Sequence, residues 1–321
     1  MMKAAIVLEA GKTPVHGDFS EPAPGSGESR ITVTASALSH LTIGRASGTH
    51  YSSSGKFPFV VGVDGVGRLD DGRRVYFVLP QAPFGGMAER TVAQTSHCVA
   101  LPDALDDVTA AAMANPGMSS WAALKERAKL SKGEVVLVNG ATGVSGRLAV
   151  QIAKYMGARK VIATGRNQAT LKSLSDLGAD ATISLNQDGD ALEEAFKEQF
   201  ARDSIDVVLD YLWGVSAEKL LLAGARASKE AVPIRFIQIG SMSGLHITLP
   251  GAVLRSSAIE LMGSGIGSVS LEPLISAISE VFQAARPGKF KIPTQAVPLA
   301  QVEQAWTLDS GSRTVFTMGG E

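Results

Sequence analysis

The hydrophobic and polar positions of the chain follow three successive rhythms. Up to about residue 115, apolar residues come in short runs such as "RITVTASAL" (30–38), "RRVYFVL" (73–79) and "AERTVAQTS" (88–96), broken by Gly, Pro and Ser. The runs lie too close together for crossover helices, so they predict a mostly antiparallel β domain. Around Asp103 the texture turns helical, and "DALDDVTAAAMAN" sets acidic residues near a helix start, where they complement the helix dipole. From about Ser119 to Gly267, strands predicted at 135–140, 160–165, 181–185, 205–212, 235–241 and 259–265 alternate with apolar helical stretches. Near-continuous apolar strands separated by helices predict a parallel sheet covered on both faces. The tail holds one helical run, "LEPLISAISEVFQAA", then "KIPTQAVPLAQVEQAWTL". That segment is too small to fold alone and is expected to pack back on the first domain.

Composition narrows the picture. With 321 residues the chain has room for two cores, and 45% hydrophobic with 19% charged residues is ordinary for a soluble globular protein. A formal net charge of −1 supplies no global field for nucleic acid or an anionic membrane. One cysteine, Cys98, excludes an intramolecular disulfide and a Cys-rich zinc site. The opening "MMKAAIVLEAGKTP" has no signal-peptide pattern, and no apolar run is long enough to span a bilayer. A soluble, cytoplasmic protein is expected.

The chemistry concentrates in "VVLVNGATGVSGRLAVQIAKYMG" (135–157). Gly140 would end the strand in a tight turn, Gly143 would let backbone approach a phosphate, and Gly146 would let the helix pack on the strand. The next helix, with Leu148, Ile152 and Tyr155 read as one face, points its N-terminus at the loop and attracts an anion. The spacing is G-x-x-G-x-x-G rather than G-x-G-x-x-G, so the string alone also suits a bare βα turn. Its strand–turn–helix context favours a dinucleotide. Twenty residues after Gly146, where NAD-binding chains carry an acid, stands Arg166. A guanidinium grips a 2′-phosphate with parallel donors, which favours NADPH. Lys172 either adds charge to that phosphate or is a solvated helix residue. The candidate cofactor set here is Gly140, Ala141, Thr142, Gly143, Val144, Gly146, Gly165, Arg166, Asn167 and Lys172. Two rivals recede: no tyrosine has a lysine four residues later, as short-chain dehydrogenases require, and methyltransferases place an acid where Arg166 stands.

With these pieces placed, the chain resembles the medium-chain dehydrogenase/reductase superfamily, in its zinc-independent quinone oxidoreductase-like branch. The resemblance rests on "MKAAIV", "FPFVVGVDGVGRL", "FGGMAERTVA", "LPDALDDVTAAAM" with "GMSSWAAL", "VLVNGATGVSG", "LGADATISL" and "PLAQVEQAWTLDSGSRTVFTM", met in that order. It implies a doubly wound, parallel Rossmann domain (119–267) inserted in a GroES-like β-rich catalytic domain (1–118 and 268–321). It also implies a nicotinamide in the cleft at the carboxyl ends of the parallel strands, approached by Ser119 and lined by Gly240, Ser241 and Ser264. A homodimer through the last strand of the sheet is implied too.

Zinc-dependent relatives use a cysteine and the histidine of a G-H-E motif. Ser39 and Val63 stand at those positions here, and neither side chain is a useful zinc ligand. His40, His50 and Asp64 would form the only substitute, and Asp64 is expected to accept backbone hydrogen bonds in a turn. Reduction of a quinone or enone needs only positioning and one or two donors at the oxygen where charge develops. The asparagine and tyrosine that many members of the branch carry are replaced by Ser39 and Gly44. His40, Thr42, Arg45 and Tyr51 remain nearby, with His40 and Tyr51 taken as the catalytic donors. The expected function is an NADPH-dependent, metal-free reductase of a small-molecule quinone or α,β-unsaturated carbonyl. The alternatives are an NADPH-binding redox sensor or structural protein with little turnover, and a zinc alcohol dehydrogenase. Loops 39–57, 79–86 and 243–252 are expected to set specificity.

Overall fold

The computed structural model describes residues 1–49, 53, 55–227, 229–307 and 311–319. In chain order the elements begin with β1 (Met2–Val7), β2 (Val15–Phe19), β3 (Glu28–Ala37), α1 (His40–Ala46), β4 (Phe59–Val60), β5 (Asp64–Leu69), β6 (Arg74–Val78), β7 (Arg90–Gln94), β8 (Cys98–Ala100) and α2 (Asp107–Ala122). There follow β9 (Val135–Asn139), α3 (Val144–Tyr155), β10 (Lys160–Gly165), α4 (Gln168–Ser173), β11 (Ala181–Ser184), α5 (Gly189–Asp203), β12 (Val207–Asp210), α6 (Gly214–Ala227), β13 (Ile234–Gln238), α7 (Gly251–Arg255) and β14 (Ile259–Gly263). The chain closes with α8 (Leu271–Ala285), β15 (Thr294–Pro298), α9 (Val302–Ala305) and β16 (Arg313–Thr317). Contacts divide it into two compact units: Met1–Asn115 with Ile278–Arg286 and Ile292–Glu321, and Pro116–Ala277 with Pro287–Lys291.

In the first unit one sheet has the order β2-β1-β4 and the other β15-β16-β3-β5-β6-β8, with β7 also paired to β3. Alternation drives this: Ile31, Val33 and Ala35 of β3 turn inward while Arg30 and Thr32 face solvent, the period-2 pattern of a half-buried strand. The pairing is antiparallel throughout except for β15 and β16, which run parallel. Ile31, Val33, Leu69, Val75, Phe77 and Ala93 close one core, and Val7, Leu38, Met87 and Phe316 belong to another.

The second unit holds a six-stranded parallel sheet of order β11-β10-β9-β12-β13-β14. All five residues of β9 are buried, because both faces are covered. Phe196 and Phe200 of α5 and Leu220 and Leu221 of α6 pack on Leu137 and Phe236. The chain leaves β9 in one direction for β10 and β11, and crosses it in the other for β12 to β14. This is the topological switch point at which open α/β sheets bind ligands.

Two sequence expectations are corrected. Strand 205–212 contracts to Val207–Asp210, because the Asp210 carboxylate accepts the amides of Leu212 (3.0 Å) and Trp213 (3.1 Å) and turns the chain. Tyr155 does not share the buried face of Leu148 and Ile152. It is 45% exposed, its ring 6.0 Å from Trp121 and 5.5 Å from Phe290. Among the described residues, no helix is long and apolar enough to cross a membrane.

Candidate active site

At the switch point the three loop glycines answer to three different constraints. Gly140 has φ +90°, where a side chain would be strained, and its amide donates to Thr164 Oγ1 at 3.1 Å. A Cβ on Gly146 would stand 2.3 Å from the Gly140 carbonyl oxygen and 2.6 Å from Ala141 Cα, so α3 can start this close to β9 only with glycine there. Gly143 is unlike either. A Cβ on it would meet nothing nearer than the Gly140 oxygen at 3.7 Å, so the space before it is open. Gly143 is also the N-cap of α3, with no side chain capping the helix. The first-turn amides and the positive end of the dipole therefore face open space.

A buried network beneath the loop holds its shape. Thr164 Oγ1 donates to Asn139 Oδ1 (2.7 Å), and Asn139 Nδ2 donates to Asp210 Oδ1 (2.8 Å) and Ser216 Oγ (3.0 Å). The Ala141 amide donates to the Thr164 carbonyl at 2.7 Å. Asn139, Thr164 and Asp210 have no exposed surface, and burial raises the Asp210 carboxyl above the usual 3.8 against the pull of its hydrogen bonds. Sequence reasoning missed this network. Its signal was a polar residue near the end of each of three apolar strands, in "VVLVN", "KVIATG" and "VVLD".

At the end of β10, a Cβ on Gly165 would lie 2.2 Å from Thr142 Cγ2, which presses the loop across that strand. Arg166 is exposed, and among the described residues no carboxylate pairs with its guanidinium. Asn167 caps α4 by accepting the Thr170 amide at 3.0 Å, and Lys172 stands exposed in the last turn of that helix. Gly240, Ser241 and Ser264 gather around Gln238. Its Nε2 donates to the Gly240 carbonyl (2.9 Å) and Ser241 Oγ (3.2 Å), and its carbonyl accepts the Ser264 amide (2.9 Å). Ser119 Oγ donates to the Pro116 carbonyl at 2.9 Å, and the adjacent Ser120 hydroxyl bonds Tyr211 Oη at 2.9 Å. Ala141 is buried and Val144 opens α3.

In the first unit, Ser39 caps α1: its Oγ accepts the Thr42 amide (3.0 Å) and lies 2.8 Å from Thr42 Oγ1. His40, the first residue of α1, keeps part of its surface in solvent. Desolvation of its ring and, less, the charge of Arg313 hold its pKa below the ordinary 6.5. Asp64 corrects the turn expectation. It begins β5 with 3% exposure, and its carboxylate accepts hydrogen bonds from Tyr76 and Asn115 and faces the charge of Arg313. Burial dominates these and pushes it from 3.8 to about 6, and burial, then Asp64, lift Tyr76 well above 10. Zinc does not fit this donor set: the Ser39 hydroxyl is committed to its helix, Val63 is aliphatic and Asp64 is held by Tyr76 and Asn115. Among the described residues no three His, Cys, Asp or Glu side chains come together as metal ligands. Tyr51 and His50 lie outside the described residues. Thr42, Arg45, Ser53 and residues 55–63, with Pro80 and residues 82–84, line one pocket of about 430 Å³, walled by Phe57, Phe59, Val63 and Phe84.

Residues 145–280 match the family model described as zinc-binding dehydrogenase, a stretch that covers most of the parallel-sheet unit and leaves out positions 39, 63 and 64. The chain is 28% identical over 361 residues to "Probable NADPH-dependent quinone reductase tdiC" of Emericella nidulans, covering 98% of this chain and 99% of that one. It is 28% identical over 275 residues to a 2-haloacrylate reductase of Burkholderia sp, covering 78% and 81% respectively. The solved quinone oxidoreductase of Thermus thermophilus, reported with its NADPH complex, superposes with a TM-score of 0.81 at 26% identity, over 99% of this chain and all of that one. The chain belongs to the medium-chain dehydrogenase/reductase superfamily and is quinone oxidoreductase-like, a Rossmann domain joined to a GroES-like one.

Proposed function

We propose that this protein is an NADPH-dependent reductase delivering hydride to a quinone or an α,β-unsaturated carbonyl without a metal ion. One observation carries the reading: the open approach at Gly143, backed by the N-terminus of α3, with Arg166 where an NAD-binding chain would carry an acid. The relative named as a probable NADPH-dependent quinone reductase and the likeness to the Thermus enzyme solved with NADPH support it. In this reading residues 119–267 form the cofactor domain, and 1–118 with 268–321 the catalytic one.

Backbone amides from Gly140 to Gly146, with Ala141, Thr142 and Val144, would hold the pyrophosphate. Gly165, Arg166 and Asn167, with Lys172 adding charge, would hold the 2′-phosphate end, and Ser119, Gly240, Ser241 and Ser264 the nicotinamide end. When bound, NADPH supplies the hydride. The chain's own task is to orient the acceptor and stabilise charge on its carbonyl oxygen, where one donor is worth on the order of 3 kcal/mol of barrier. His40, neutral at pH 7, has one ring N–H to donate there, and Tyr51 is the second candidate.

Replacing Arg166 with alanine is expected to raise the KM for NADPH by roughly 10- to 100-fold, the worth of hydrogen bonds to a charged group, and to leave NADH turnover nearly unchanged. Initial rates with both coenzymes measure it, and equal losses with both would refute the role of Arg166. Absorbance of NADPH against a broad quinone and enone panel tests the activity itself, and binding without oxidation throughout would sink it.

We further propose a cytoplasmic homodimer formed through β14. Among the described residues this strand pairs on one side only, and Leu261 on it and Leu245, which lines a cleft with it, are exposed. Light scattering is expected to give twice the 33.4 kDa chain mass, falling toward one chain on Leu261→Lys. A monomeric parent protein would overturn the dimer.

A further inference from the structure

The geometry points to an acidic acceptor substrate: the 430 Å³ pocket of the first unit binds a flat conjugated carbonyl compound carrying a carboxylate or similar anion, gripped by Arg45 and Lys56. This rests on the reductase reading above and specifies its substrate class.

Three features of the pocket combine. Phe57 and Phe59, with ring centroids 5.5 Å apart, and Phe84 give it apolar aromatic walls that suit a planar π-system. Its charged lining is of one sign: Arg45, at the end of α1, and Lys56 both line it, and among the described residues no aspartate or glutamate does. Thirdly, Ser53 Oγ borders the pocket, buried and with no hydrogen-bond partner. Buried hydroxyls are nearly always satisfied, so an orphaned one at a pocket wall marks a ligand oxygen as its partner. Arg45 is half-buried, and desolvation lowers its pKa, so its charge acts where water screens it poorly. A quinone with no charge would use the aromatic walls alone. An acid would use the walls, the guanidinium fork and the Ser53 hydroxyl together.

The test is binding to the protein loaded with NADP⁺, which has no hydride to transfer. Calorimetric titration compares 4-carboxycinnamaldehyde with 4-carbamoylcinnamaldehyde, a neutral analogue of the same shape. The acid is expected to bind roughly 10- to 100-fold more tightly, with the preference falling as salt is raised. In the double variant Arg45→Gln with Lys56→Gln the preference should drop to near unity, while NADPH fluorescence titration verifies that the variant is folded. Equal affinities in the parent protein, or a preference that survives the double variant, would overturn the inference. Rates of NADPH oxidation with the same two compounds judge the reductase reading separately. Preference without oxidation leaves the acid pocket standing and removes the activity, and oxidation of both without preference does the reverse.

Discussion

A Gly143→Ala variant is expected to fold as the parent does and yet bind NADPH roughly 10- to 100-fold more weakly. Its new methyl would find open space, with only the Gly140 oxygen at 3.7 Å, and the backbone at 143 has an ordinary φ of −74°. The methyl enters the volume a phosphate would occupy before the first turn of α3, so the charge-assisted bonds to the helix amides lengthen or break. Gly146→Ala is the contrasting variant. Its methyl would collide with backbone at 2.3 and 2.6 Å, atoms that cannot rotate away, so stability itself should fall by about 1–3 kcal/mol, as overpacking does. Fluorescence titration of NADPH with a denaturation curve for each variant separates the two effects. A Gly143→Ala protein that binds NADPH like the parent would mean that the open space is not the cofactor's.

The second large effect lies at Asp64. Asp64→Ala is expected to destabilise the protein by about 3–5 kcal/mol, the usual cost of breaking a buried pair and stranding one charge. Arg313 is 8% exposed, its Nε already lacks a partner, and Asp64 is the acid that faces it. Tyr76 and Asn115 would lose their acceptor as well. The Asp64→Asn variant keeps an acceptor and tests the ionisation alone. Folding raises the pKa of Asp64 from 3.8 to about 6, so between those values the folded state holds a proton that the unfolded chain has lost. Its contribution to stability is therefore greatest below about pH 4 and falls as the pH rises to about 6, by on the order of 3 kcal/mol. Urea unfolding across that range should show the fall in the parent and a flatter profile in Asp64→Asn. Identical profiles would show that this carboxylate is ionised normally.

Much of the site was legible in one dimension because its signals are local. Strand rhythm located all six parallel strands, and the spacing of Gly140, Gly143 and Gly146 between a strand and a helix marked the turn, the open approach and the close packing in the right order. The position of Arg166, just past the end of β10, followed from counting, since the length of one βα unit carries the chain from the loop to the end of the next strand.

Other features depend on which distant segments meet. Asp64 looked like a turn residue beside glycines, but strand pairing buries it among Tyr76, Asn115 and Arg313, drawn from well-separated parts of the chain. The bonds of Asn139, Thr164 and Asp210 exist only because β10, β9 and β12 lie side by side in the sheet, an order that differs from their order in sequence. Tyr155 followed helical spacing yet ended at a rim, since the neighbours covering a helix face decide how far along it burial extends. The pocket walls come from residues 55–63 and from Phe84, a strand and loops that carry no shared periodicity. Backbone preference and side-chain period act over a few residues and survive in any context. Burial, pairing and charge environment are properties of contacts, and they come into being only when the chain has folded.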